Sequence, residues 1–186
     1  MKNNQNQCRA FIKQQGLTFI EIIIALVIIV TGILGAVALQ ATAKKSSFDA
    51  MQRSIASSLA QDMIARIRAN DINSLAGYAR DDYGVALDAV PAVNCSQANA
   101  PCNAAQILAN DMFEWERALL GNDVTNNGAN AGGLVGGRGC IFQDGNAITV
   151  VVSWQGREAI TDNQNNENCG AAGGKRRQVV VQAFVI

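Results

Sequence analysis

Residues Ile22 to Leu39 form an 18-residue run without a single charge, and Glu21 stands directly before it. About 20 apolar residues in a helix cross the hydrocarbon core of a bilayer, so Leu17 to Leu39 is long enough to span one. This run dominates what the chain can fold into. It is too long and too apolar for a surface helix, and a carboxylate at its head is expensive enough to mark function. The preceding segment, Met1 to Gly16, carries Lys2, Arg9 and Lys13 and no acidic residue. Positive charge on that side predicts a cytoplasmic N-terminus and an exported C-terminal bulk.

Two processing schemes fit an exported chain with this start. Ala41-Thr42-Ala43 has the form of a secretory cleavage site, but the apolar run exceeds the 7–15 residues of such signals and leaves Glu21 without a purpose. The alternative is a cut after Gly16, with the apolar segment retained. Gly16, bulky Leu17 and Glu21 then stand as the residue before the cut, the first mature residue and the fifth.

That arrangement resembles the class III signal of the type IV pilin superfamily, pilins and pseudopilins alike. The resemblance implies removal of residues 1–16 by a prepilin peptidase and N-methylation of Leu17. It also gives Glu21 a physical role. A carboxylate in the membrane needs a cationic partner, and the Leu17 amine of a neighbouring subunit would supply one and set the axial register. The plainer alternative leaves Glu21 at the level of the headgroups.

The leader holds three of the fifteen basic residues, leaving twelve against fifteen acidic in the mature chain. Such a balance does not call for nucleic acid as the main partner. Of five cysteines, Cys8 falls in the leader. Cys95, Cys102, Cys140 and Cys169 remain, an even number in an exported domain, which reads as two disulfides. Four cysteines allow three pairings. Short, un-nested loops close at the lowest entropy cost, which favours Cys95–Cys102 and Cys140–Cys169. A zinc site has neither compact ligand spacing nor a histidine to draw on.

Beyond the apolar run, Lys44 to Arg68 contains no glycine or proline. Phe48, Met51, Ile55, Leu59, Met63 and Ile67 recur at helical spacing, while Asp49/Arg53 and Asp62/Arg66 form i,i+4 pairs on the exposed side. The pattern predicts one helix from Leu17 to about Ala69, stopped by Asn70-Asp71, with two helices broken near Gly32 or Gly35 as the alternative. In the head, Asn103 and Gln106 form a capping box, Ala104, Leu108, Met112, Trp115 and Leu119 a stripe, and Gly121 a C-terminal stop. Tyr78 to Val93 and the glycine-rich Gly121 to Gly139 read as loops. Cys140 to Gln143 and Ala147 to Trp154 read as strands around an Asp144-Gly145 turn, with Ile148, Val150, Val152 and Trp154 on one face. Gln155 to Arg177 reads as polar loop and Gln178 to Ile186 as a closing strand.

Leu59 to Asn70 and Thr31 to Gly35 resemble the minor pilins named type IV pilus modification protein PilV, as do Asp111 to Trp115 and Val151 to Trp154. The resemblance implies an α+β, pilin-like fold: a long N-terminal helix packed on a small antiparallel sheet with one extra helix. It divides the chain into a leader (1–16), a transmembrane or filament-core helix (17–43), the exported half of that helix (44–75) and a disulfide-stapled head (76–186). It implies priming of pilus assembly at or near the tip. The partners would be other minor pilins, the major pilin, the prepilin peptidase and the inner-membrane platform. Before assembly the chain would sit in the bacterial inner membrane with its head in the periplasm, and afterwards on the pilus surface. Adhesion could follow from a tip position, although no residue pattern specifies a receptor.

Other function classes fit less well. A pseudopilin of a type II secretion system shares the N-terminal motif, and the four head cysteines count against it. Without histidine there is no histidine-based triad or general base, and Asp81-Asp82 and Glu114/Glu116 read as solvated surface, so no enzyme and no cofactor are expected. A membrane-tethered ligand-binding protein would draw on the oxygen-rich Asp162 to Glu167 segment, suited in type to Ca²⁺ but lacking EF-hand spacing. Lys175-Arg176-Arg177 could touch DNA, yet basic residues before a strand more simply protect its edge.

Overall fold

The computed structural model describes residues 16–97, 101–159, 169–170 and 173–186. Residues 1–15 of the leader, with Cys8, and the oxygen-rich segment 162–167 lie outside the described residues. The chain divides into two compact units, Met1–Lys44 and Lys45–Ile186.

The described part of the first unit is mainly helical. Helix α1 spans Phe19–Ala69, and its course through the apolar run is unbroken at Gly32 and Gly35. The run supplies no proline and no competing side-chain hydrogen bond except Thr31, whose hydroxyl donates back to the Val27 and Ile28 carbonyls. Every large apolar side chain from Leu17 to Leu39 is exposed.

The second unit holds the remainder of α1, a 3-10 helix (Ile72–Tyr78), β1 (Arg80–Tyr83), α2 (Ala104–Leu120), β2 (Thr125–Asn126), β3 (Ala129–Asn130), β4 (Arg138–Asp144), β5 (Ala147–Gln155) and β6 (Arg176–Phe184). Four strands make an antiparallel sheet in the order β1-β4-β5-β6, and β2-β3 is a separate ribbon. The fold is α+β and pilin-like, with an antiparallel sheet and a long N-terminal helix.

One core joins these elements. From α1 it takes Ala56, Ala60, Met63, Ile64 and Ile67; from β5, Ile148, Val150, Val152 and Trp154; from α2, Trp115 and Leu119. The buried stripe of α1 is rotated from the expected one. Met51 is exposed, and Phe48, Ile55 and Leu59 are only partly buried, while Ala56 and Ala60 are fully buried. Alanine lets two backbones approach closely, so the small residues face inward and the larger ones flank them. The other face of β5 is covered as well. Val151 packs with Cys140, its cross-strand partner, and with Cys169.

Several segments carry more structure than their composition suggested. Tyr78 to Val93 contributes β1 and buries both Tyr78 and Tyr83, the latter edge-on against Trp115. The glycine-rich stretch is packed: Asn127 and Gly128 both have positive φ, as a two-residue hairpin loop between β2 and β3 requires. Gly121 ends α2 in the left-handed region, against the Gly132 carbonyl, where any side chain would collide. The β4–β5 turn falls one residue later than Asp144-Gly145. Asp144 pairs with Ala147, so Gly145-Asn146 is the loop. β6 begins at Arg176, so that arginine and Arg177 are strand residues. Arg176 donates to Ser153 Oγ at 2.7 Å and to the Gly136 carbonyl at 3.0 Å, a tethered side chain where solvated edge protection was expected.

Gly139 is where β4 passes under the Trp115 ring, and a Cβ there would strike the ring and come within 3.2 Å of the Tyr83 Cβ. Gly139→Ala should destabilise the head by roughly 1–3 kcal/mol through overpacking. Urea unfolding of the full chain in detergent measures this, and an unchanged midpoint would contradict the packing described.

Candidate assembly interface

In the first unit, the Thr18 carbonyl accepts the first two α1 hydrogen bonds, from the amides of Glu21 (3.1 Å) and Ile22 (3.3 Å). Glu21 thereby lies in the first turn, where the helix dipole favours negative charge. Leu17 and Glu21 line one shallow groove of about 470 Å³ with Ile22, Ala25, Leu26 and Ile29. Four residues apart, the first residue after Gly16 and the carboxylate share a side of the segment. Nothing else polar belongs to that groove.

In the second unit, the end of α1 is clamped to α2. Arg66 donates to Asp62 at 2.8 Å, to Asp111 at 3.2 Å and to Glu114 at 2.9 Å. Burial works against its charge, but the hydrogen bonds to Glu114, Asp62 and Asp111 outweigh that and raise its pKa, so it stays cationic. Asp111 also accepts from the Tyr78 hydroxyl at 2.7 Å. Burial, the largest influence on that phenol, pushes its pKa up and keeps it a donor. Asn70 closes the cluster, donating to Tyr78 Oη at 2.8 Å and to the Ala104 carbonyl at 3.1 Å. The Trp115 indole donates to the Leu59 carbonyl at 2.8 Å. The segments Leu59 to Asn70 and Asp111 to Trp115, far apart in sequence, therefore meet.

The expected Asp62/Arg66 pair is present, but Arg66 is part of an interhelix cluster rather than simple surface. The Asp49/Arg53 pair does not form among the ion pairs of the described residues. Glu116 corrects the surface reading most sharply. It is wholly buried, and its two oxygens accept the amides of Gly84 (2.6 Å) and Asp88 (2.8 Å). Arg80 stands 4.0 Å away and pairs at 2.6 Å with both Asp82 and Asp88. Glu116 thus fixes the 84–88 turn from beneath. Glu114 and Asp82 are salt-bridged, so neither is idle surface. In sequence only the carboxylate's place one residue past Trp115, on the inward side of α2, hinted at this.

Cys95 is bonded to Cys102 and Cys140 to Cys169, with Cα–Cα separations of 5.8 and 5.7 Å. The first closes the turn that leads into α2. There Asn110 donates to the Val93 carbonyl at 2.6 Å and accepts the Cys95 amide at 3.2 Å. The second ties the outer face of the sheet to the segment before β6. Among the described residues no group of three or more acidic or cysteine side chains could hold a metal ion.

Residues 38–113 match the family model described as Tt1218-like, type IV pilin Tt1218. The match spans less than half of the chain and makes that stretch similar to the type IV pilins. The type IV pilins that this stretch resembles have a structural rather than an enzymatic role. The matched stretch takes in the end of the apolar run, the rest of α1 and α2 as far as Phe113, and so most of the Arg66 clamp. No curated protein matches the chain significantly, nor does any solved structure. Likeness to type IV pilins fits assembly with other pilins and association with a membrane, and α1 is long and apolar enough near the N-terminus to cross one.

Glu116→Gln replaces one acceptor oxygen by a donor facing a backbone amide. An unsatisfied buried group costs ~1–3 kcal/mol, so the head should lose about that much stability. Hydrogen exchange at Gly84 and Asp88 should accelerate in step with the shift in urea midpoint. Unaltered protection at both amides would contradict the anchoring role.

Proposed function

We propose that this chain is a minor pilin that helps prime assembly of a type IV pilus and resides at or near its tip. Its leader is cut after Gly16 by a prepilin peptidase, and the exposed Leu17 amine is methylated. The observation that carries the proposal is Leu17 and Glu21 sharing one apolar groove at the head of a charge-free run, in a chain whose residues 38–113 match a type IV pilin model.

The mechanism follows from solvation. A helix with its whole apolar girth exposed is stable only in lipid or among like helices. Inserted in the inner membrane with Lys2, Arg9 and Lys13 on the cytoplasmic side, the chain places its head in the periplasm. Transfer from lipid to a filament core exchanges one apolar surrounding for another, so the helix itself gains little. Specificity then rests on the rare polar groups. Glu21 meets the Leu17 amine of a neighbouring subunit, and an ion pair in apolar surroundings tolerates no axial slip because a displaced charge is left unpaired. The likeness of Leu59 to Asn70 and Asp111 to Trp115 to PilV supports the minor-pilin assignment, with other minor pilins, the major pilin and the inner-membrane platform as partners.

Glu21→Ala should leave cleavage after Gly16 intact yet reduce incorporation into sheared pili. The loss should be on the order of tenfold or more, because removing one member of a buried pair costs ~3–5 kcal/mol. Immunoblots of membranes and of sheared pili measure processing and incorporation separately. Normal incorporation of the variant would count against the register role. Incorporation of the wild-type chain in amounts equal to the major pilin would count against a minor one.

A further inference from the structure

Three buried side-chain atoms among the described residues have no hydrogen-bond partner: Asp49 Oδ1, Trp154 Nε1 and Arg177 Nη1. They come from α1, β5 and β6, yet all three residues line one cleft of about 420 Å³ within the second unit. Trp154 is 3 % exposed. Buried polar groups of folded proteins are almost always paired, so three unpaired ones around one space mark a place prepared for something else. The space is far larger than the ~30 Å³ that one water takes up in the liquid.

The donors define the ligand. The Trp154 indole and the Arg177 guanidinium both offer N–H, and Arg53 adds a second cation at the rim of the cleft. Asp49 is the one carboxylate that lines it. Nearby Lys45 and Glu158 neutralise each other in a 3.3 Å pair. Arg177 is held in place through Nη2, which donates to the Glu158 carbonyl at 2.9 Å, and its Nη1 is left over. Two cations against one anion suit a singly charged acceptor. A planar carboxylate matches the guanidinium fork better than a point anion would. Asp49 Oδ1, an acceptor, calls for a donor beside that carboxylate.

We infer that this cleft binds a carboxylate flanked by a hydrogen-bond donor, as presented by an acidic residue of a peptide chain or by a free amino acid. The site is independent of the Leu17/Glu21 groove and of the minor-pilin assignment.

The chain has two tryptophans, and they report separately. Trp115 Nε1 is already bonded to the Leu59 carbonyl, so its indole signal is an internal control. The full chain in detergent micelles, with ¹⁵N-labelled tryptophan, is titrated with acetylated and amidated glutamate, with the matching glutamine compound and with free glycine. The blocked glutamate should shift the Trp154 indole signal saturably and leave that of Trp115 in place, with the glutamine compound at least tenfold weaker. Arg177→Gln should abolish the response, and Arg53→Gln at the exposed rim should weaken it several-fold. An unmoved Trp115 signal shows that each variant is folded. A response to glycine as strong as to blocked glutamate would support the site with free amino acids as its ligands. A response to blocked glutamate alone would support it with acidic side chains. Equal responses to glutamate and glutamine would show no preference for a carboxylate, no response to any probe would mean that the cleft holds only water, and either result would overturn the proposal.

Discussion

An apolar surface that the chain cannot cover governs this molecule. From Leu17 to Leu39 every large hydrophobic side chain points outward, and no arrangement of one helix can bury its own circumference. The helix must find its solvent elsewhere, in lipid or in like helices. That requirement makes the polar exceptions informative. Thr31 satisfies its hydroxyl within the helix and imposes nothing on the surroundings. Glu21 has no such internal solution, so in apolar surroundings it demands a partner.

The second unit resolves the opposite problem. A helix and a small sheet have little apolar area to share, and a glycine-rich head can lose its shape easily. Alanines on α1 permit close approach, and Trp115 fills the space over Gly139. Two disulfides hold the segments that lack regular structure, and at that loop size each commonly contributes a few kcal/mol. Buried charge does the orienting. Arg66 binds α1 to α2, and Glu116 binds α2 to the turn after β1. Apolar packing alone leaves a helix free to slide, whereas an unsatisfied ion is costly enough to fix one arrangement.

The legibility of these features in the sequence follows the range of the forces involved. The capping box of Asn103 and Gln106, the stop at Gly121 and the alternation Ile148-Val150-Val152-Trp154 depend on neighbours a few residues away, and they stand in the structure as read. The Asn127-Gly128 turn carried an equally local signal, obscured by the surrounding glycines. The rotation of the α1 stripe was not legible, because it depends on how closely the sheet approaches. A hydrophobicity pattern ranks Met51 above Ala56, and packing reverses that order. The partners of Glu116 were illegible for the same reason: its place beside Trp115 hints at burial, but nothing near it in sequence tells of the Gly84 and Asp88 amides. The orphan atoms of Asp49, Trp154 and Arg177 belong to three separate elements and have no sequence signature as a group. At the N-terminus the motif is compact and local, which is why Gly16, Leu17 and Glu21 could be singled out from spacing.

The central claim is that the apolar segment is retained, in a mature chain that begins at Leu17. Mass spectrometry of the mature N-terminus, on chain recovered from its native membrane, tests it most directly. The account predicts a chain that starts at Leu17 with a methylated amine. A mature chain that starts at Lys44, after Ala41-Thr42-Ala43, would contradict it.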